Sequence, residues 1–114
     1  MSAAAGFGLA AEDEKRLESV AWLQGARFRG VQVDLQTRDV SLFALTELLL
    51  VELLCEDAVY LGAPDLFSLR EMPRIVGLVV QPLEELCAVR LEFSNHPAQV
   101  LVQCRRVVVR KDPL

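Results

Sequence analysis

Hydrophobic and polar positions along this chain change rhythm several times, and each change marks an element. Residues 75–80 are apolar at almost every position, which predicts a strand covered on both faces. Cys87, Val89, Leu91 and Phe93 then alternate with Ala88, Arg90 and Glu92, the period of a half-buried strand. Between them Pro82 offers no backbone donor, so a break in the ladder is expected there. Val31, Val33 and Leu35 alternate with polar partners in the same way. Val100, Val102 and Cys104 do so until the pair Arg105-Arg106 upsets the phase before residues 107–109, as a bulge would.

Other stretches read differently. Glu12, Asp13 and Glu14 place carboxylates where a helix N-terminus favours them, and Leu17, Val20, Ala21 and Gln24 follow at helical spacing. Gly25 is a natural stop for that helix, because glycine accepts the left-handed conformation. Residues 62–72 read as a loop with at most one helical turn. Residues 41–55 are ambiguous. Leu, Ala and Glu tip them towards helix, and Ser41 could cap one. Yet Thr46, Glu47 and Glu52 fall on different sides of a helical wheel, and residues 48–51 are too uniformly apolar for a clean strand.

Composition narrows the class. A chain of 114 residues supports one core, and the reading is a disordered tail at residues 1–10 followed by a single domain over residues 11–114. The apolar share of 53% against 25% charged suits either a dense core or a face buried on a partner. A net charge of −4 argues against general nucleic-acid binding. No eighteen-residue apolar run predicts a membrane span, and residues 1–10 lack the basic start of a secretory signal. Cys55, Cys87 and Cys104 form no CxxC and cannot all pair, which predicts reduced thiols, in the core or at an interface, of a cytoplasmic or nuclear protein.

The order of helix, strands, variable loop and glycine-bearing strand resembles the Sm-like (LSm) family. The segment Val51-Glu52-Leu53-Leu54-Cys55-Glu56-Asp57-Ala58-Val59 is similar to the family's third strand and its acidic-Ala turn, and Gly77-Leu78-Val79-Val80 to its second motif. Pro64, Pro73, Arg74, Gly77, Leu78 and Pro82 stand as they do in the small Sm-like auxiliary subunits of NatC-type N-terminal acetyltransferases. The resemblance implies a mainly β fold: an N-terminal helix, then a small, strongly bent five-stranded antiparallel barrel, with an extra C-terminal strand. It implies a non-catalytic scaffold that stabilises a large subunit through its sheet edges, with Val76, Leu78, Val80, Val89 and Leu91 on the binding strands and Leu17 and Trp22 adding contact from the helix.

RNA-binding Sm-like proteins read a base with Asp and Asn in the first motif and Arg-Gly in the second. Here Leu48, Glu52, Pro82 and Leu83 stand at those places, so affinity for oligouridine is not expected. Two other readings stay open. One is a pseudo-Sm scaffold or Sm-like subunit in ribonucleoprotein assembly; the other is an α+β interaction module with residues 41–55 as a buried helix.

Candidate chemistry is thin. His96 is the one histidine and sits in Ser94-Asn95-His96-Pro97, a turn composition that suits a solvated side chain better than a catalytic one. Glu56-Asp57 and Glu84-Glu85 are acidic turns without a histidine or cysteine at metal-ligand spacing. Arg105, Arg106, Arg110 and Lys111 form one basic patch, read as a solvated edge or a face for an acidic partner. No catalytic residue, cofactor, metal or small-molecule substrate is expected.

Overall fold

The computed structural model describes residues 5–10, 23–63, 72–94 and 96–114. Strands β1 (Ala5–Ala10), β2 (Arg27–Asp34), β3 (Asp39–Leu45) and β4 (Leu49–Glu56) are followed by a short β5 (Tyr60–Gly62). Then come β6 (Ile75–Leu83), β7 (Leu86–Phe93), β8 (His96–Cys104) and β9 (Arg106–Pro113). They form two antiparallel sheets, ordered β1-β9-β4-β3-β2 and β5-β8-β7-β6. The fold is mainly β, and no helix lies among the described residues that is long and apolar enough to cross a membrane.

Two three-strand meanders build most of it. In β2-β3-β4 the buried positions Val40, Leu42, Ala44, Val51, Leu53 and Cys55 alternate with wetter ones. In β6-β7-β8 the corresponding set is Leu78, Val80, Cys87, Val89, Leu91, Val100 and Val102. The third strand of each meander breaks and passes into the other sheet, β4 into β5 through Asp57 and β8 into β9 through Arg105. The breaks meet. Arg105 N–H donates to the Glu56 carbonyl at 3.0 Å, and Val59 N–H to the Gln103 carbonyl at 2.8 Å. The arginine pair thus does shift the phase, since Val102 and Cys104 are buried before it and Val107 and Val109 after it. Side chains from both sheets fill one shared core.

A second corner joins the sheets through an isolated antiparallel bridge, Arg27 to Arg74. Ile75 N–H donates to the Ala26 carbonyl at 2.8 Å, Gly25 N–H to the Ile75 carbonyl at 2.7 Å, and Phe28 N–H to the Pro73 carbonyl at 2.8 Å. The Phe28 and Phe93 rings pack as a tilted pair, with centroids 4.9 Å apart and planes at 35°. Both strands bulge as they leave this corner, β2 between Phe28 and Gly30 and β6 between Ile75 and Gly77. Bulges bend a strand and interrupt its pairing, so the contact goes no further.

Several expectations change. Residues 41–55 are not a helix: β3 pairs on both sides, and cross-strand packing overrides the helical propensity of Leu and Glu. Thr46 and Glu47 lie in the β3–β4 turn, where Thr46 Oγ1 accepts from Leu49 N–H at 3.0 Å, and Glu52 sits on the outer face of β4. This removes the α+β alternative. The five-stranded barrel is not closed, because the breaks at Asp57 and Arg105 and the paired bulges split the ladder into two sheets. The expected extra C-terminal strand is present as β9, and it lies between β1 and β4. Residues 5–10, expected as a tail, run antiparallel to β9.

The expected helix over residues 12–24 falls mostly outside the described residues. Gly25 does take the left-handed φ of 91° foreseen for it. Pro82 does not end its strand. The carbonyl of Leu83 turns inward to close the two-residue turn with Leu86, so its neighbour Pro82 presents its missing donor to the open side of the sheet.

Candidate functional site

The expected partner-binding residues divide sharply. Val76 is exposed, but Leu78 and Val80 are buried and Val89 and Leu91 almost wholly so. The bulge at Val76 resets the alternation of β6, turning Leu78 and Val80 into the core and Val79 outward. Residues 75–80 are therefore covered on one face, not two. Strand β7 is no edge, since β6 and β8 flank it; β6 is an edge among the described strands. Leu17 and Trp22 lie outside the described residues. Leu48 lies in the β3–β4 turn and Glu52 on β4 of the first sheet, whereas Pro82 and Leu83 belong to β6 of the second. Glu52 is engaged internally, accepting from Ser41 Oγ at 2.6 Å and facing Arg110 Nη1 at 3.6 Å.

The basic patch is neutralised where it stands. Arg105 Nε meets Asp57 Oδ2 at 2.7 Å and Arg106 Nε meets Glu56 Oε1 at 3.7 Å, while Arg110 faces Glu52. Strands β4 and β9 bring these together because their register sets Glu52 opposite Arg110 and Glu56 opposite Arg106. The acidic turn at Glu56-Asp57 and the basic stretch are thus two halves of one seam. The thiols are equally committed. Cys55, Cys87 and Cys104 are fully buried and none is in a disulfide. The hydrogen bond between the Cys55 and Cys104 thiols, then burial, pushes the Cys55 thiol well above its ordinary pKa, which makes it a poor nucleophile. Among the described residues no cluster of His, Cys, Asp or Glu could hold a metal ion.

Two concave surfaces stand out among the described residues. The first is an apolar mouth of about 200 Å³ at the far end of the β2–β3 hairpin, lined by Val33, Leu35, Val40, Val59, Tyr60 and Leu61 among others. Leu35 is 86% exposed, Val59 55%, Tyr60 51% and Val33 45%. These side chains are presented on a fixed frame. Asp34 Oδ1 accepts from Gln36 and Thr37 N–H, Arg38 takes a φ of 62°, and its carbonyl accepts from Ala58 N–H at 2.7 Å. Alternation along residues 31–36 puts Val33 and Leu35 on the apolar side of a strand. Val33, opposite Val40, shares that phase, but Leu35 falls in the β2–β3 turn, and Tyr60 and Leu61 of β5 border the hollow from the other sheet.

The second surface is a cleft of about 550 Å³ beside the Arg27–Arg74 bridge, with Gln24, Gly25, Ala26, Thr46 and Glu47 in its lining. Arg74 Nη1 donates to the Gly25 carbonyl at 3.2 Å. The sequence carries no local sign of this pairing, because the two arginines meet only through the closure of the corner. Comparison with protein-family models, curated proteins and solved structures finds no match to this chain. Function rests on the geometry.

Proposed function

We propose that this chain is a non-catalytic protein-interaction subunit that docks an apolar segment of a larger partner at the mouth formed by Val33, Leu35, Val59 and Tyr60. The observation that carries this reading is the exposure of those four large side chains around one hollow. Scattered surface leucines are ordinary, but a contiguous apolar patch on a rigid frame is characteristic of an interface. Burying it would remove apolar area from water at about 25 cal/mol per Å². Because a ligand that binds only a protein's folded state stabilises it by mass action, the docked chain would stabilise its partner.

The resemblance of residues 51–93 to the small Sm-like auxiliary subunits gives the proposal its specific form. The partner is then the large subunit of a NatC-type N-terminal acetyltransferase, in the cytoplasm or nucleus, where the reduced core thiols suit the redox setting. The kinship of the fold to Sm-like barrels belongs to the same proposal. The test is to replace the endogenous chain by a Leu35→Asp, Val59→Asp double variant. The readouts are acetylation of substrates beginning Met-Leu, Met-Ile or Met-Phe, and recovery of the large subunit with the chain. Loss of both, with the circular dichroism of the isolated variant unchanged, is expected. Unchanged acetylation, with no acetyltransferase subunit bound to the wild type, would shift the assignment to a ribonucleoprotein scaffold.

A further inference from the structure

Arg27 and Arg74 face each other across the isolated bridge. Facing residues on antiparallel strands hold their Cβ atoms about 4.5–5.5 Å apart on one side of the sheet, and like charges so placed are destabilising. Both arginines line the 550 Å³ cleft. Four arginines elsewhere meet carboxylates, Arg90 with Glu92, Arg105 with Asp57, Arg106 with Glu56 and Arg110 with Glu52, while Arg29 and Arg38 stand singly on the surface among the described residues. No carboxylate ion-pairs with Arg27 or Arg74 among the described residues, although the chain carries 16 acidic residues against 12 basic ones. Arg74 is also oriented, since Nη1 is tied to the Gly25 carbonyl and its other N–H groups remain to donate.

We propose that this cleft binds a phosphate monoester, with the dianion bridging the two guanidinium groups. A carboxylate carries one charge and neutralises one arginine. A phosphate monoester carries nearly two, and its three terminal oxygens accept from two planar forks at once. A cleft of 550 Å³ falls in the range of small-molecule sites, so it has room for the body of the ligand as well as its phosphate. Glu47, on the same lining, offsets part of the arginines' charge for any anion and accepts a hydrogen bond, which disfavours a polyphosphate most and suits a monoester with a hydroxylated body. Free metabolites and phosphorylated side chains share this chemistry.

The experiment is calorimetric titration of the whole chain with inorganic phosphate, glycerol 3-phosphate, a phosphoserine hexapeptide and acetate. The phosphates should bind and acetate should not. Arg27→Ala and Arg74→Ala should each weaken binding by about tenfold or more, the loss expected for a charge-assisted hydrogen-bond pair. Glu47→Gln should tighten inorganic phosphate, and Arg105→Ala should leave it unchanged. Tighter glycerol 3-phosphate than peptide would make the ligand a free metabolite, and the reverse a phosphorylated protein segment; either supports the site. The proposal is overturned if none of the three phosphates binds, or if Arg105→Ala weakens binding as much as Arg74→Ala while the variants keep the wild-type circular dichroism.

Discussion

The seam between β4 and β9 and the corner between β2 and β6 both join parts of the chain distant in sequence, and both place arginines side by side. At the seam the register sets a carboxylate opposite each of Arg106 and Arg110, and Asp57 reaches Arg105. At the corner two arginines oppose each other and the strands bulge apart within two residues. A continuous ladder with matched charges has nothing left to offer a ligand. A pairing stopped by bulges, with like charges at its end, leaves donors and space. Basic composition alone is therefore a poor guide to where a cation is available.

The sharpest way to break this contrast is to remove the seam. Val107 and Val109 are fully buried and β9 pairs on both sides, so a chain ending at Cys104 should not fold, as seen by loss of cooperative urea unfolding. If β9 were an appendage, the truncated chain would still unfold cooperatively. Next in size, Leu42→Ala in the core of the first sheet should cost about 2–5 kcal/mol, whereas Val79→Ala on the outer face of β6 should stay within about 0.5 kcal/mol.

The thiols sharpen the picture from the seam side. Cys55 has a folded-state pKa raised above its unfolded value, so its contribution is fully present below about pH 8.5 and is lost as pH rises beyond it. Stability should fall above that pH, and Cys55→Ala, though less stable overall, should show a flatter alkaline profile. The smallest effects separate the arginines themselves. Arg110→Ala should cost up to about 1 kcal/mol, since Glu52 is mostly buried and would keep only Ser41. Arg27→Ala should be neutral or stabilising by a few tenths of a kcal/mol, because it relieves a like-charge pair.

Much of the fold is legible in the sequence, and the failures have physical causes. Alternation alone locates β2, β7 and β8, and the phase break at Arg105-Arg106 marks where β8 gives way to β9. It does not locate β3 and β4, because Leu and Glu carry helical propensity and only the neighbouring strands decide the outcome. In residues 75–80 every position but Gly77 is apolar, so periodicity cannot say which of Val76, Leu78, Val79 and Val80 turn inward; the bulge decides, and it turns Leu78 and Val80 into the core. The apolar mouth hides behind the normal phase of β2. The cleft is the least legible, since nothing local to Arg27 or Arg74 announces that they will meet.

The central claim is that available positive charge lies at the corner and not in the basic stretch near the C-terminus. Its most direct test is side-chain NMR of the arginine Nε–H groups during titration with glycerol 3-phosphate. The account predicts that the Arg27 and Arg74 signals shift and saturate, while Arg105 and Arg106, whose Nε atoms face Asp57 and Glu56, stay in place. Shifts led by Arg105 and Arg106, with Arg27 and Arg74 unmoved, would contradict it.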